Sequence, residues 1–159
     1  IKRLIRDFQL ASDVGSLLTL NYSEQLLQKL RSEIDGLENN LFTYRSREYL
    51  QRMVDIASVL CKKYDVVVTN PPYLSNKRFN ACLSEFIKEN YPEGKADLAM
   101  AMLERLMWGL TRKNGYCAAI TTVSWMYLKN LSDFRFKVVK ESDFVCLIDY
   151  GTELFEGKI

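Results

Sequence analysis

Tyr64-Asp65-Val66-Val67-Val68-Thr69-Asn70-Pro71-Pro72-Tyr73 is the stretch on which the fold turns. Residues 64–69 form a short, continuous apolar run rich in β-branched side chains. That is the pattern of a strand covered on both faces by helices in a parallel sheet. Two consecutive prolines then stop the run. Each fixes its own φ and biases the residue before it away from the helical region, so residues 70–72 are expected to form a stiff, extended loop. Ligands of open parallel sheets bind beyond the carboxyl ends of the strands, and Asn70 stands one residue past such an end.

The loop has the chemistry of an amine-binding site. The residue 71 carbonyl lacks a helical partner and can face a ligand, Asn70 adds a side-chain acceptor beside it, and Tyr73 adds a flat aromatic face. The exocyclic amine of a nucleobase has two N–H bonds and a lone pair delocalised into the ring, which makes it a poor nucleophile. Two fixed acceptors, the Asn70 oxygen and the Pro71 carbonyl, favour a more tetrahedral nitrogen whose lone pair can point at a methyl sulfonium. This is electrostatic preorganisation where positive charge develops. An amine paired inside a duplex must first be flipped out, at a cost of a few kcal/mol. Stacking on Tyr73 would return roughly 1–3 kcal/mol. A lone Asn-Pro or Pro-Pro pair mostly marks a plain strand-ending turn; the strand in front of the tetrapeptide argues against that reading here.

Upstream, the sequence reads as helical. Ser23 can cap a helix to about Ile34, with Leu26, Leu27 and Leu30 on one face and Gly36 as a stop. A second helix over 46–61 places Leu50, Met53, Val54, Ala57 and Leu60 at helical spacing. Arg45, Arg47 and Arg52 there read as a solvated face. Downstream, strands and helices alternate. A helix is expected over 79–90. A second, capped by Asp97 and carrying Leu98, Met102, Leu106 and Leu110 inward, should stop near Asn114-Gly115. A strand over 116–121, a helix over 132–140 and a strand over 144–150 complete the pattern. The division is thus a mainly helical segment over 1–62 and a partial catalytic domain over 63–159. The implied fold class is α/β, the C-terminal half of a doubly wound sheet, whose remaining strands are expected in a missing upstream portion.

Composition narrows the chemistry. With 159 residues the chain is long enough for one domain with a core, and 48% hydrophobic residues exclude disorder. No apolar stretch approaches the length of a membrane span, so no membrane partner is expected; the opening Ile1-Lys2-Arg3 is neither a start methionine nor a signal peptide, and the chain is expected to be cut from something longer. The net charge of +2 is too small to announce a nucleic-acid surface. There is no histidine, which removes Ser-His and Cys-His nucleophilic machinery. Cys61, Cys82, Cys117 and Cys146 lie far apart, which argues against a metal site and disulfides and makes a reducing cytoplasm the expected location.

Residues 64–73 resemble motif IV of the amino-methyltransferases, most closely adenine-N6 DNA methyltransferases of the gamma arrangement. Asp97 to Arg105 followed by Asn114-Gly115 is similar to motif V and its turn. Tyr116 to Trp125 resembles the next strand and its Ser-Trp ending, and Ile148 to Phe155 resembles motif VIII, where a glycine (Gly151) precedes an aromatic residue. The resemblance covers about residues 64–159 and is closest in flavour to the large single-chain methyltransferases of type II restriction–modification and BREX phage-defence systems.

This resemblance implies S-adenosyl-L-methionine-dependent methylation of the adenine N6 amine in double-stranded DNA on a Rossmann-like fold. Asn70, Pro71, Pro72 and Tyr73 would be catalytic, with Asn70 and Pro71 binding the amine and Tyr73 stacking on the flipped adenine. Phe155 would hold the base from another side, and Lys77 and Arg78 would contact flanking phosphates. Met102 stands where several relatives place an aromatic residue against the cofactor adenine, and Asp97 borders that pocket or caps its helix. The family's glycine-rich loop and ribose-holding acid are not found in the chain, and no target-recognition domain follows Phe155. Both are expected in other parts of the parent protein, and the isolated chain is expected to be incomplete. Because the same tetrapeptide serves any planar amide or aryl amine, methylation of a protein glutamine or an RNA guanine stands as an alternative, as does an inactive fragment. The helical segment before the loop and the Gly151/Phe155 pair favour DNA.

Overall fold

The computed structural model describes residues 1–38 and 43–151, so Phe155 lies outside the described residues. The helices α1 (Lys2–Asp7), α2 (Ala11–Val14), α3 (Glu24–Asp35) and α4 (Tyr44–Leu60) come first. They are followed by β1 (Tyr64–Thr69), α5 (Ala81–Asn90) and α6 (Leu98–Glu104), the last running into a π-helical segment, Arg105–Leu110. β2 (Thr111–Ala119) and α7 (Ser132–Glu141) complete the order.

The helices begin and bury where side-chain chemistry directs. The Ser23 hydroxyl accepts the Leu26 N–H at 3.2 Å and starts α3, which buries Leu27, Leu30 and Ile34. α4 buries Leu50, Met53, Val54, Ala57 and Leu60, the five positions read from the spacing. Each large side chain among them contributes roughly 1.5–3 kcal/mol over its exposed state. Asn80 starts α5 by accepting the Leu83 N–H at 2.7 Å, while its amide donates to Asp13 at 2.8 Å. The helix therefore begins at Ala81 and leaves Phe79 outside.

Two apolar cores meet around α6. One joins the upstream helices to α5 through Leu4, Leu17, Ile34, Val54, Ile87 and Ala101. The second packs Met100 and Leu103 of α6 against Leu131, Phe134 and Val138, with Tyr73 among the side chains at its border. Phe134 is fully buried and meets Trp108 and Trp125 edge to face, each at 6.1 Å between ring centres. Arg105, also buried, donates to the carbonyl of Leu60 at 2.9 Å and so ties the π-helical segment to the end of α4.

β1 and β2 pair in parallel, with Val66 opposite Tyr116 and Thr69 opposite Ala119. Before that ladder the register slips: Tyr64 faces Thr111, so Arg112 to Gly115 stand opposite Asp65 alone. Asn114 adopts the left-handed conformation, φ 64°. Gly115 has no room for a side chain, since a Cβ there would lie 2.8 Å from the Asp65 carbonyl and 3.0 Å from that of Arg112. Asn114-Gly115 is thus a bulge within β2. The helix ends earlier, at Leu110: the Thr111 backbone is already extended, φ −75° and ψ 133°, and its hydroxyl donates to the Leu106 carbonyl at 2.9 Å.

Two other expectations are corrected. β1 is not covered on both faces among the described residues, since Val66 and Val68 remain 60% and 73% exposed. Residues 144–150 form no strand: Phe144, Val145, Leu147, Ile148 and Tyr150 are exposed and pair with no neighbour, and apolar composition without a ladder partner does not make a strand. The observed arrangement is α/β with a two-stranded parallel sheet. No helix among the described residues is long and apolar enough to cross a membrane.

Candidate active site

The loop 70–74 leaves the carboxyl end of β1 without helical or strand structure. Pro71 is buried, while Asn70 and Pro72 are exposed. One proline thereby anchors the loop, and the Asn70 side chain stays open to a ligand. Tyr73 turns back over the ends of both strands. Its hydroxyl lies 2.9 Å from Asn70 Oδ1 and 3.0 Å from the Ile120 carbonyl, just past the end of β2. Burial raises the Tyr73 pKa above the usual 10, so the phenol stays protonated at neutral pH.

The segment after Tyr73 is stitched to the turn that precedes α6. Leu98 donates its N–H to the Leu74 carbonyl at 2.9 Å, Asn76 donates to Ala96 at 3.2 Å, and Ser75 pairs antiparallel with Asp97. A groove of about 210 Å³ opens here, bordered by Ser75, Asn76, Lys77, Asp97, Thr122 and Asn130. Hydroxyls, amides and one ammonium group dominate its polar lining. Asp97 caps α6, its Oδ1 accepting the Ala99 N–H at 2.8 Å. Burial raises its pKa, opposed by the N–H groups of Ala99 and Met100.

The residues singled out in the sequence divide accordingly. Asn70, Pro71, Pro72 and Tyr73 form one surface, and Lys77 and Asp97 share the adjoining groove. Arg78 is exposed in the short turn Asn76–Arg78. Met102 is set apart: it packs against the core that joins the upstream helices to α5, whereas Tyr73 borders the other core. Ile120 went unread because its part is played by a backbone carbonyl, 47 positions from Tyr73. The carboxyl end of the second strand was the available signal, since neighbouring strand ends build sites together.

A charged cluster was also unread. Glu104 is buried, accepts the Gly94 N–H at 2.8 Å, and stands 3.5 Å from Lys137, which lies 3.4 Å from Glu93 and 4.4 Å above the Trp108 ring. Burial, and then the hydrogen bond shared with Glu93, push the Glu104 pKa up to about 7. That hydrogen bond holds Glu93 below its ordinary value, so one proton shared by the pair resides on Glu104.

The model of the family described as Eco57I restriction-modification methylase matches residues 6–155, which takes in the upstream helices as well as the loop. The chain is 28% identical over 158 residues to the adenine-specific methyltransferase BrxX of Escherichia coli O9:H4 (strain HS), covering 98% of this chain and 13% of that protein. It is 28% identical over 155 residues to the adenine-specific methyltransferase PglX of Lacticaseibacillus casei (strain Zhang), covering 94% of this chain and 13% of that one. The chain thus spans about 13% of the length of these two relatives.

Proposed function

The chain belongs to the Eco57I restriction-modification methylase family, and we propose on that footing that it supplies the amine-binding side of a DNA adenine-N6 methyltransferase of restriction–modification or phage-defence type. The observation that carries this reading is the acceptor pair at the end of β1: an exposed Asn70 side chain beside a backbone held by the buried Pro71. Asn70 Oδ1 and the Pro71 carbonyl each accept one N–H of a flipped adenine and draw its nitrogen toward a tetrahedral geometry. The Tyr73 ring stacks on the base, and Phe155, outside the described residues, is the second proposed contact to it. Lys77, on the adjoining groove, and Arg78 take the flanking phosphates of the double-stranded DNA, fixing register without reading sequence.

The methyl donor of the parent protein is S-adenosyl-L-methionine, which supplies an electrophilic methyl group when bound. The residues assigned to it here do not compose a cradle. Met102 is half-buried against the helical core and the Asp97 carboxylate is engaged in capping α6. The donor pocket, the remaining strands of a doubly wound sheet and the target-recognition domain belong to other parts of the parent, in keeping with the 13% coverage of the relatives.

A labelled methyl donor offered to the parent protein with DNA, RNA and protein side by side tests the substrate class. Label should appear in DNA as N6-methyladenine. Label only in protein or RNA would overturn the assignment.

A further inference from the structure

We propose that the Tyr73 hydroxyl, and not only its ring, serves methyl transfer, as the positioning group that orients the Asn70 amide toward the acceptor amine; this rests on the adenine-methylation reading above. An asparagine side chain presents an oxygen acceptor and an NH₂ donor of nearly the same shape. The reaction needs the oxygen. A flipped amide would set N–H against N–H and remove one of the two acceptors.

Asn70 is exposed, and the Tyr73 hydroxyl donates to its Oδ1 at 2.9 Å. That donor is itself fixed at both ends. The ring borders the core that contains Met100, Leu131 and Phe134. The hydroxyl oxygen sits 3.0 Å from the Ile120 carbonyl, and Ile120 is locked to the sheet by its N–H on Thr69 at 3.1 Å. The ladder between the strand ends therefore holds the hydroxyl oxygen beside the Asn70 amide, where donation to Oδ1 orients it.

The hydroxyl carries one hydrogen, for which the Ile120 carbonyl at 3.0 Å competes; given to Asn70 Oδ1 at 2.9 Å, it leaves the second lone pair of that oxygen for the amine. Both hydrogen bonds run from the edge of the ring. Neither bond occupies a ring face, so stacking and orienting can coexist in one side chain.

Tyr73→Phe in the full parent protein separates the two roles, because phenylalanine keeps the stacking face and loses the donor. The turnover number for adenine methylation is expected to fall roughly fivefold to tenfold, as for loss of one neutral hydrogen bond, with the KM for DNA unchanged. In an Asn70→Ala background the same change should cost nothing further, since the amide to be oriented is gone. A wild-type turnover number for Tyr73→Phe would overturn the proposal. So would an equal loss in both backgrounds, which would make the hydroxyl a strut for Ile120. Absence of N6-methyladenine with the unaltered parent would instead refute the underlying reading, and the hydroxyl's role with it.

Discussion

Gly94 holds the turn before α6 against that helix, and replacing it by alanine should loosen the platform beside the catalytic loop. A Cβ at this position would lie 2.6 Å from the Ala101 nitrogen and the Met100 carbonyl carbon, and 2.7 Å from the Ala101 Cα. All three are backbone atoms of a helix and cannot rotate aside. To reach ordinary contact near 3.5 Å, turn and helix must part by about 0.9 Å. Overpacking of this kind costs about 1–3 kcal/mol. The same movement stretches the bond from the Gly94 N–H to the Glu104 carboxyl, 2.8 Å in the native arrangement, and threatens roughly 1.5 kcal/mol more. A loss of about 3 kcal/mol corresponds to a drop of about 6–12 °C for a chain of this size. Thermal unfolding followed by circular dichroism reads it. Gly36→Ala is the control, because its Cβ would meet Ser32 and Glu33 carbonyls at 3.5 and 3.7 Å, and its φ of −77° suits any residue. Melting of Gly94→Ala within a degree of the control would refute the packing argument.

Two further outcomes are expected. Glu104 has its folded pKa raised to about 7, so its contribution to stability is complete below its ordinary value near 4.5 and is lost as pH rises through 7. Glu93 is lowered and acts at more acid pH, while Lys137 faces both carboxylates. The melting temperature should therefore fall between pH 5.5 and 8, and Glu104→Gln should flatten that slope; parallel slopes for both proteins would contradict it. Lys77→Ala in the parent should reduce the slope of log affinity for DNA against log salt by about 1, and an unchanged slope would remove Lys77 from the phosphate contacts.

What could be read in advance followed from physics that is local in the chain. The five buried positions of α4 fall at 3.6-residue spacing, and Ser23 and Asp97 are short acceptors placed just before apolar helices, so all of these stood out. Asn70 and Tyr73 were legible because two prolines after a β-branched run leave the backbone few alternatives. Long-range features were not. The first residues of β2, Thr111-Arg112-Lys113-Asn114, are polar and look nothing like a strand; they join it only because the bulge at Gly115 lets Thr111 reach Tyr64. Residues 144–150 have strand composition and lack the ladder that would make them one. The Ile120 carbonyl that meets Tyr73 and the Lys137 that meets Glu104 lie 47 and 33 residues away, where no spacing rule points.

The central claim is that Asn70 accepts the amine that is methylated. Its most direct test is the single-turnover rate of N6-methyladenine formation by the parent protein carrying Asn70→Ala, with melting temperature measured in parallel. A fall on the order of 100- to 1,000-fold is expected, the range for removing one preorganised hydrogen-bonding group, with no change in melting because the side chain is exposed. A rate equal to that of the unaltered protein would contradict it.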